Sequence, residues 1–121
     1  MHGKPRTKAQ KYRIQLITQE LGCLACNIEG FGYVPCQYHH CDDQKQHHDR
    51  GYGLCPWHHM GQGVSVFDAF LDAEQLEQKC GPSKALQGKA FTAKYGTEQQ
   101  LLDLQNRRIE EWEKSRVSKV I

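Results

Sequence analysis

Three features predict that this 121-residue chain folds as a small α+β domain. Residues Tyr33 to Tyr38 alternate in character with the period of two of a half-buried strand, and a second short strand is expected near Tyr52 to Leu54. Several other stretches repeat apolar residues at helical spacing, which places helices around those strands. Between Cys36 and His59 the chain also crowds Cys36, His39, His40, Cys41, His47, His48, Cys55, His58 and His59, six of its seven histidines and three of its six cysteines. Neither a packed core nor a solvated loop requires that density. A metal ion does, because Zn²⁺ and similar ions take neutral imidazole and thiolate ligands at about 2.0 to 2.3 Å. With only 38% of residues hydrophobic, metal stapling would also compensate for a thin core.

Taken in order, Tyr12, Leu16 and Ile17 recur at helical spacing and predict a first helix from about Thr7 to Leu21, with Gly22 at the C′ position. That helix leads into Cys23-Leu24-Ala25-Cys26, a tight turn whose two thiolates converge on one ion. Such a knuckle needs a second pair, and Cys55 and His58 supply it. The separation is too long for the roughly 12-residue gap of a C₂H₂ finger and suits two loops of a folded site. A structural zinc on Cys23, Cys26, Cys55 and His58 is therefore expected. Cys36-x2-His39 is also a legal ligand pair, but Cys36 and Cys41 read first as small buried hydrophobes.

His39 and His40 follow the first strand. Neighbours on a strand point to opposite sides, so one imidazole can bind a metal while the other faces a substrate. Asp42 to Arg50 reads as the polar connection of a hairpin and carries His47 and His48. Pro56 sits where the first residue of a short helix should. On that helix Cys55 and His58 share an ion, and His59, about 100° further round, is free for a different one. Met60 to Gly63 ends it. Further helices are predicted from Phe67 to Leu76, stopped by Gly81-Pro82, and from Ser83 to Tyr95, stopped by Gly96. Thr97 and Gln100 form a capping box that opens a last helix bearing Leu101, Leu102, Leu104, Ile109 and Trp112.

The net charge of +2 is a near-cancellation of 16 basic and 14 acidic residues and announces no partner. Its distribution says more. Lys4, Arg6, Lys8, Lys11 and Arg13 precede the first acid, Glu20, and such a run suits a phosphate backbone as well as it suits a solvated arm. No stretch is apolar and long enough to span a membrane and no hydrophobic signal opens the chain, so a cytoplasmic protein is expected. In that setting metal thiolates are favoured over disulfides.

The order strand, strand, helix around a metal resembles the HNH, or ββα-metal, nucleases. The resemblance is closer still to phage Ref-type, RecA-dependent nucleases. It is carried by Gly22-Cys23-x2-Cys26, His39-His40, Leu54-Cys55-Pro56-Trp57-His58-His59, Gly81-Pro82-Ser83 and Phe91-x3-Tyr95-Gly96-Thr97 through Leu101-Leu102, over roughly residues 20 to 110. It implies a basic arm and helix at 1–19, a nuclease domain at 20–121, and a phage or prophage enzyme that cuts DNA with a RecA filament as partner. It further implies His40 as general base, an ion on His39 and His59, and a supporting or ligand role for His48, where HNH enzymes often have Asn. That ion would be Mg²⁺, Mn²⁺ or Zn²⁺. Two other readings remain open. A zinc-dependent nucleic-acid-binding module explains the Cys₃His set equally well but leaves His39, His40 and His59 without a role. A structural protein with two closed zinc shells would use those histidines with Cys36 or Cys41.

Overall fold

The computed structural model describes residues 5–41, 50–63 and 70–120, the side chains of 117–120 excepted. His47, His48, Lys4 and Phe67 lie outside these residues. The chain begins with α1 (Lys8–Leu16), which starts at Thr7 because a full capping box with Gln10 satisfies the free N–H groups of its first turn. Beyond Leu16 the helix widens into a π turn over Ile17–Leu21, closed by Gly22 N–H donating to Ile17 O at 2.8 Å. Gly22 then ends it at φ 78°, the C′ position that the sequence predicts. A five-residue α2 (Leu24–Ile28) follows directly, with Cys23 at its N-cap.

Strands β1 (Gln37–His40) and β2 (Gly51–Leu54) pair antiparallel, with Gln37 opposite Leu54, Tyr38 opposite Gly53, His39 opposite Tyr52 and His40 opposite Gly51. The first strand thus begins four residues later than the alternation of Tyr33 to Tyr38 predicts, and His39 and His40 lie inside it. Pro35 accounts for the shift, since it has no N–H to give to a ladder. The free edge of β2 is closed by a side chain: Gly53 N–H donates to the buried Gln105 Oε1 at 3.0 Å.

Glycine decides how closely the first helix approaches the sheet. A Cβ on Gly53 would lie 2.7 to 2.8 Å from Cys36 Sγ, Gly22 O and Ile17 Cγ2, so only glycine lets the π turn rest on that face. The opposite face carries Tyr52, fully buried and paired with His39.

After β2 come α3 (Pro56–Met60), with Pro56 in its first turn and Gly61 left-handed at its end, then α4 (Ala73–Cys80), α5 (Gly88–Tyr95) and α6 (Glu98–Val120). Two of these start later than apolar spacing predicts. The capping box of Asp72 with Gln75 sets the start of α4, and residues 83–87 form a turn in which Ser83 N–H donates to Gln87 Oε1 at 2.7 Å. The last helix opens as predicted, with Thr97 N–H donating to Gln100 Oε1 and Gln100 N–H to Thr97 Oγ1. Trp57, Tyr52, Phe91, Leu54 and Leu101 form the centre of one core, which also contains the cysteines of the first centre below. No described helix is long and apolar enough to cross a membrane.

Candidate metal centres and active site

Two knuckles of the same construction face each other. Cys23 and Cys55 are the N-caps of α2 and α3, and each thiol sulfur accepts the N–H three residues on, from Cys26 and His58, at 3.4 Å. The turn geometry brings each pair to one side. His58 Nδ1 lies 3.5, 3.4 and 3.3 Å from the sulfurs of Cys23, Cys26 and Cys55, and Cys26 Sγ lies 3.8 Å from Cys55 Sγ. The edges of a tetrahedron with about 2.3 Å bonds to sulfur and 2.0 to 2.1 Å bonds to nitrogen are about 3.8 and 3.5 Å. All four residues are buried, and their donor atoms fall within 4.8 Å of one another. This group can hold a metal ion such as zinc.

The electrostatics favour one thiolate in the group, at Cys23. Burial opposes charge on Cys23, but hydrogen bonds from Cys26 and Cys55 outweigh it and pull its thiol down to about 3. Cys26, which supplies such a bond, is pushed up in turn. Cys36 stands outside the group: burial and the neighbouring Cys23 and Cys55 push it up to about 12, and its Sγ meets Ile17 O at 3.6 Å. Cys41 is buried in the hydrophobic cluster. Behind the ligands, His58 Nε2–H donates to Cys80 O at 2.8 Å, with the Tyr95 hydroxyl 3.2 Å away. That hydroxyl donates to Glu29 Oε2 at 2.6 Å, and Lys94 pairs with the same oxygen at 2.7 Å. Burial raises the Glu29 carboxyl, yet these two partners hold it below its ordinary value.

The second centre is built from β1, α3 and the start of α6. His39 and His59 turn toward each other, with Nδ1 of the first 3.3 Å from Nε2 of the second and the rings at 75°. Two nitrogens bound tetrahedrally to one ion at about 2.0 to 2.1 Å would stand about 3.3 Å apart. The outer nitrogens are engaged elsewhere. His39 Nε2–H donates to Glu98 Oε1 at 2.6 Å, and His59 Nδ1–H donates to Gln37 Oε1 at 2.8 Å. Burial first, then His39 and Lys84, lower the pKa of His59, which keeps it in the neutral form a metal ligand needs. Glu98 Oε1 also accepts from the Tyr52 hydroxyl at 3.1 Å and pairs with Lys84 at 3.1 Å. The donor set and spacing fit a divalent ion.

His40 sits on the other face of β1, beside Tyr38, with ring centroids 5.1 Å apart and edge to face. Arg13 differs from the rest of the basic run. Its guanidinium donates to the Tyr38 hydroxyl, to Asn106 Oδ1 and to Gly51 O at 3.1, 2.8 and 2.8 Å, tying α1 to both strands and α6. Arg6, Lys8 and Lys11 are exposed, and His48 and Lys4 lie outside the described residues. Sequence reasoning did not reach Glu98, Gln37, Tyr95 or Glu29 as partners of the histidines. Gln37 alone carried a signal, since it stands two residues before His39 on the same strand face.

The fold and donor sets define a small α+β protein with one centre able to hold zinc and a second pair of converging imidazoles. Residues 6–110 match the family described as recombination enhancement, RecA-dependent nuclease, and the chain belongs to that family. It is therefore a nuclease, linked by its family to RecA and to recombination. Searches of the curated proteins and of the solved structures find no match.

Proposed function

We propose that this chain is an HNH-type, metal-dependent DNA endonuclease that hydrolyses phosphodiester bonds in concert with a RecA filament. His39 and His59 hold the active-site ion, His40 is the general base, and Cys23, Cys26, Cys55 and His58 hold a structural zinc. The observation that carries the reading is the 3.3 Å approach of His39 Nδ1 to His59 Nε2, one from a strand and one from the helix that follows the hairpin. A divalent ion bound there supplies Lewis-acid stabilisation of the charge that develops on the phosphate and the leaving oxygen.

His40, as a neutral imidazole, takes the proton of the attacking water. The new P–O bond forms as the bond from phosphorus to the leaving sugar oxygen breaks. For both rings to act on it, the phosphodiester must lie at the end of β1, between the opposite faces that carry His39 and His40. His48, outside the described residues, is assigned a supporting or ligand role. Arg6, Lys8 and Lys11, with Lys4 before them, engage the DNA backbone.

The test is cleavage of plasmid and single-stranded DNA with Mg²⁺, Mn²⁺ or Zn²⁺, with and without a RecA filament and ATP. His40→Ala is expected to lose cleavage by a factor of about 10² to 10⁴ while keeping DNA binding and the zinc. A variant that still cuts at the wild-type rate would remove His40 from the mechanism.

A further inference from the structure

We propose that Glu98 and Gln37 are the positioning residues of the ion site: each fixes the proton of one imidazole on its outer nitrogen and so leaves the inner nitrogen as a lone pair. The inference rests on the reading of His39 and His59 as the ligands of one ion. It begins from a difficulty in the geometry. Two neutral imidazoles that face each other at 3.3 Å would ordinarily share a hydrogen bond, one donating and the other accepting. In the proposed tautomers neither inner nitrogen carries a proton to give. Gln37 Oε1 only accepts, so His59 carries its proton on Nδ1. Glu98 Oε1 receives the Tyr52 hydroxyl and the Lys84 ammonium as well as His39, so it is an acceptor and the His39 proton falls on Nε2. Two lone pairs then point into one space, an arrangement that a cation stabilises and its absence does not.

The molecule repeats the device at its first centre. His58 Nε2–H donates to Cys80 O at 2.8 Å, and the freed Nδ1 faces the three thiols. In all three histidines an oxygen that only accepts sits on the outer nitrogen. Glu98 Oε1 is engaged at Nε2 of His39, on the outer side of the ring, while the ion's place is at Nδ1. Its position at the first residue of α6 suits a carboxylate, which the partial positive charge of a helix start favours. The 23-residue last helix is thereby anchored to the active site by its opening residue.

The experiment uses the full chain with its structural zinc in place and Zn²⁺ or Mn²⁺ alone as the probe. Two-bond ¹⁵N correlation spectra of the histidine rings, taken before the probe is added, are expected to report His39 as the Nε2–H tautomer and His59 as the Nδ1–H tautomer. Glu98→Ala is expected to move His39 to mixed tautomers and to weaken binding of the second ion by about tenfold to hundredfold, with the structural zinc content unchanged. Gln37→Ala should do the same to His59. Glu98→Gln keeps an acceptor oxygen and should restore the tautomer and much of the affinity, which a merely structural role does not explain. Wild-type tautomers and affinity in Glu98→Ala and Gln37→Ala would overturn the positioning role while leaving the ligands intact. A second ion that binds His39→Ala as tightly as wild type, or does not bind wild type at all, would overturn the ligand reading and the positioning role with it.

Discussion

Arg13 and its neighbours Lys8 and Lys11 share one short helix yet do different work. The three hydrogen bonds of Arg13 are charge-assisted, those to Tyr38 and Gly51 are partly buried, and together they join α1, both strands and α6. Arg13→Ala should therefore lower stability by about 1 to 3 kcal/mol in denaturant unfolding. Lys8→Ala and Lys11→Ala should leave stability within about 0.5 kcal/mol but reduce DNA affinity and flatten its salt dependence. An Arg13→Ala protein as stable as wild type would mean that the clamp contributes nothing. At this scale the sequence was legible where chemistry is local. Cys-x2-Cys and Cys-x2-His set their own geometry within one turn, and the phase difference between His58 and His59 separates two centres on a single helix. Glu98 was not legible, because an acid at a helix start looks the same whether it faces solvent or, as here, a histidine 59 residues away.

The elements depend on a few positions where the backbone must pass close to something else. Gly81 ends α4 at φ 93°, its carbonyl accepts from Trp57 Nε1 at 2.8 Å, and a Cβ there would run into the Tyr95 hydroxyl. Gly81→Ala combines a positive-φ, extended backbone that costs a non-glycine residue about 1 to 3 kcal/mol with displacement of the hydroxyl that lies against His58. It should lower the melting temperature and weaken zinc retention together, measured by thermal unfolding and by release to a chromogenic chelator. Unchanged zinc retention would detach Tyr95 from the first centre. The type of the two strands and the main helices was readable among the described residues, whereas α2 was read as a turn, the π turn at Ile17–Leu21 as plain helix, and boundaries were displaced where a local hydrogen bond competed with periodicity. Pro35 delays β1, and Asp72 with Gln75 delays α4 even though Leu71 and Phe70 extend the apolar pattern upstream. Here a missing donor and a capping box outweighed hydrophobic spacing.

Among the described residues, two short strands and a set of helices gather on the Cys₃His group, which lies inside the hydrophobic cluster. Apparent binding energies of structural zinc, about 10 to 16 kcal/mol, match or exceed the whole stability of an ordinary domain. Cys23→Ser or Cys26→Ser should therefore abolish cooperative unfolding, which circular dichroism would follow. A variant that unfolds cooperatively without zinc would contradict the stapled core. Sequence could forecast this architecture because both knuckles announce themselves, but it could not forecast how α6 returns to β2 through Gln105 and Glu98, which is a matter of tertiary contact alone. The central claim is that His39 and His59 share one ion. The most direct test is an anomalous difference map from crystals of the full chain soaked in Mn²⁺, collected at wavelengths that distinguish manganese from zinc. Zinc is expected among Cys23, Cys26, Cys55 and His58, and manganese about 2.0 to 2.3 Å from His39 Nδ1 and His59 Nε2. Manganese bound away from both imidazoles in a protein that still cuts DNA would contradict it.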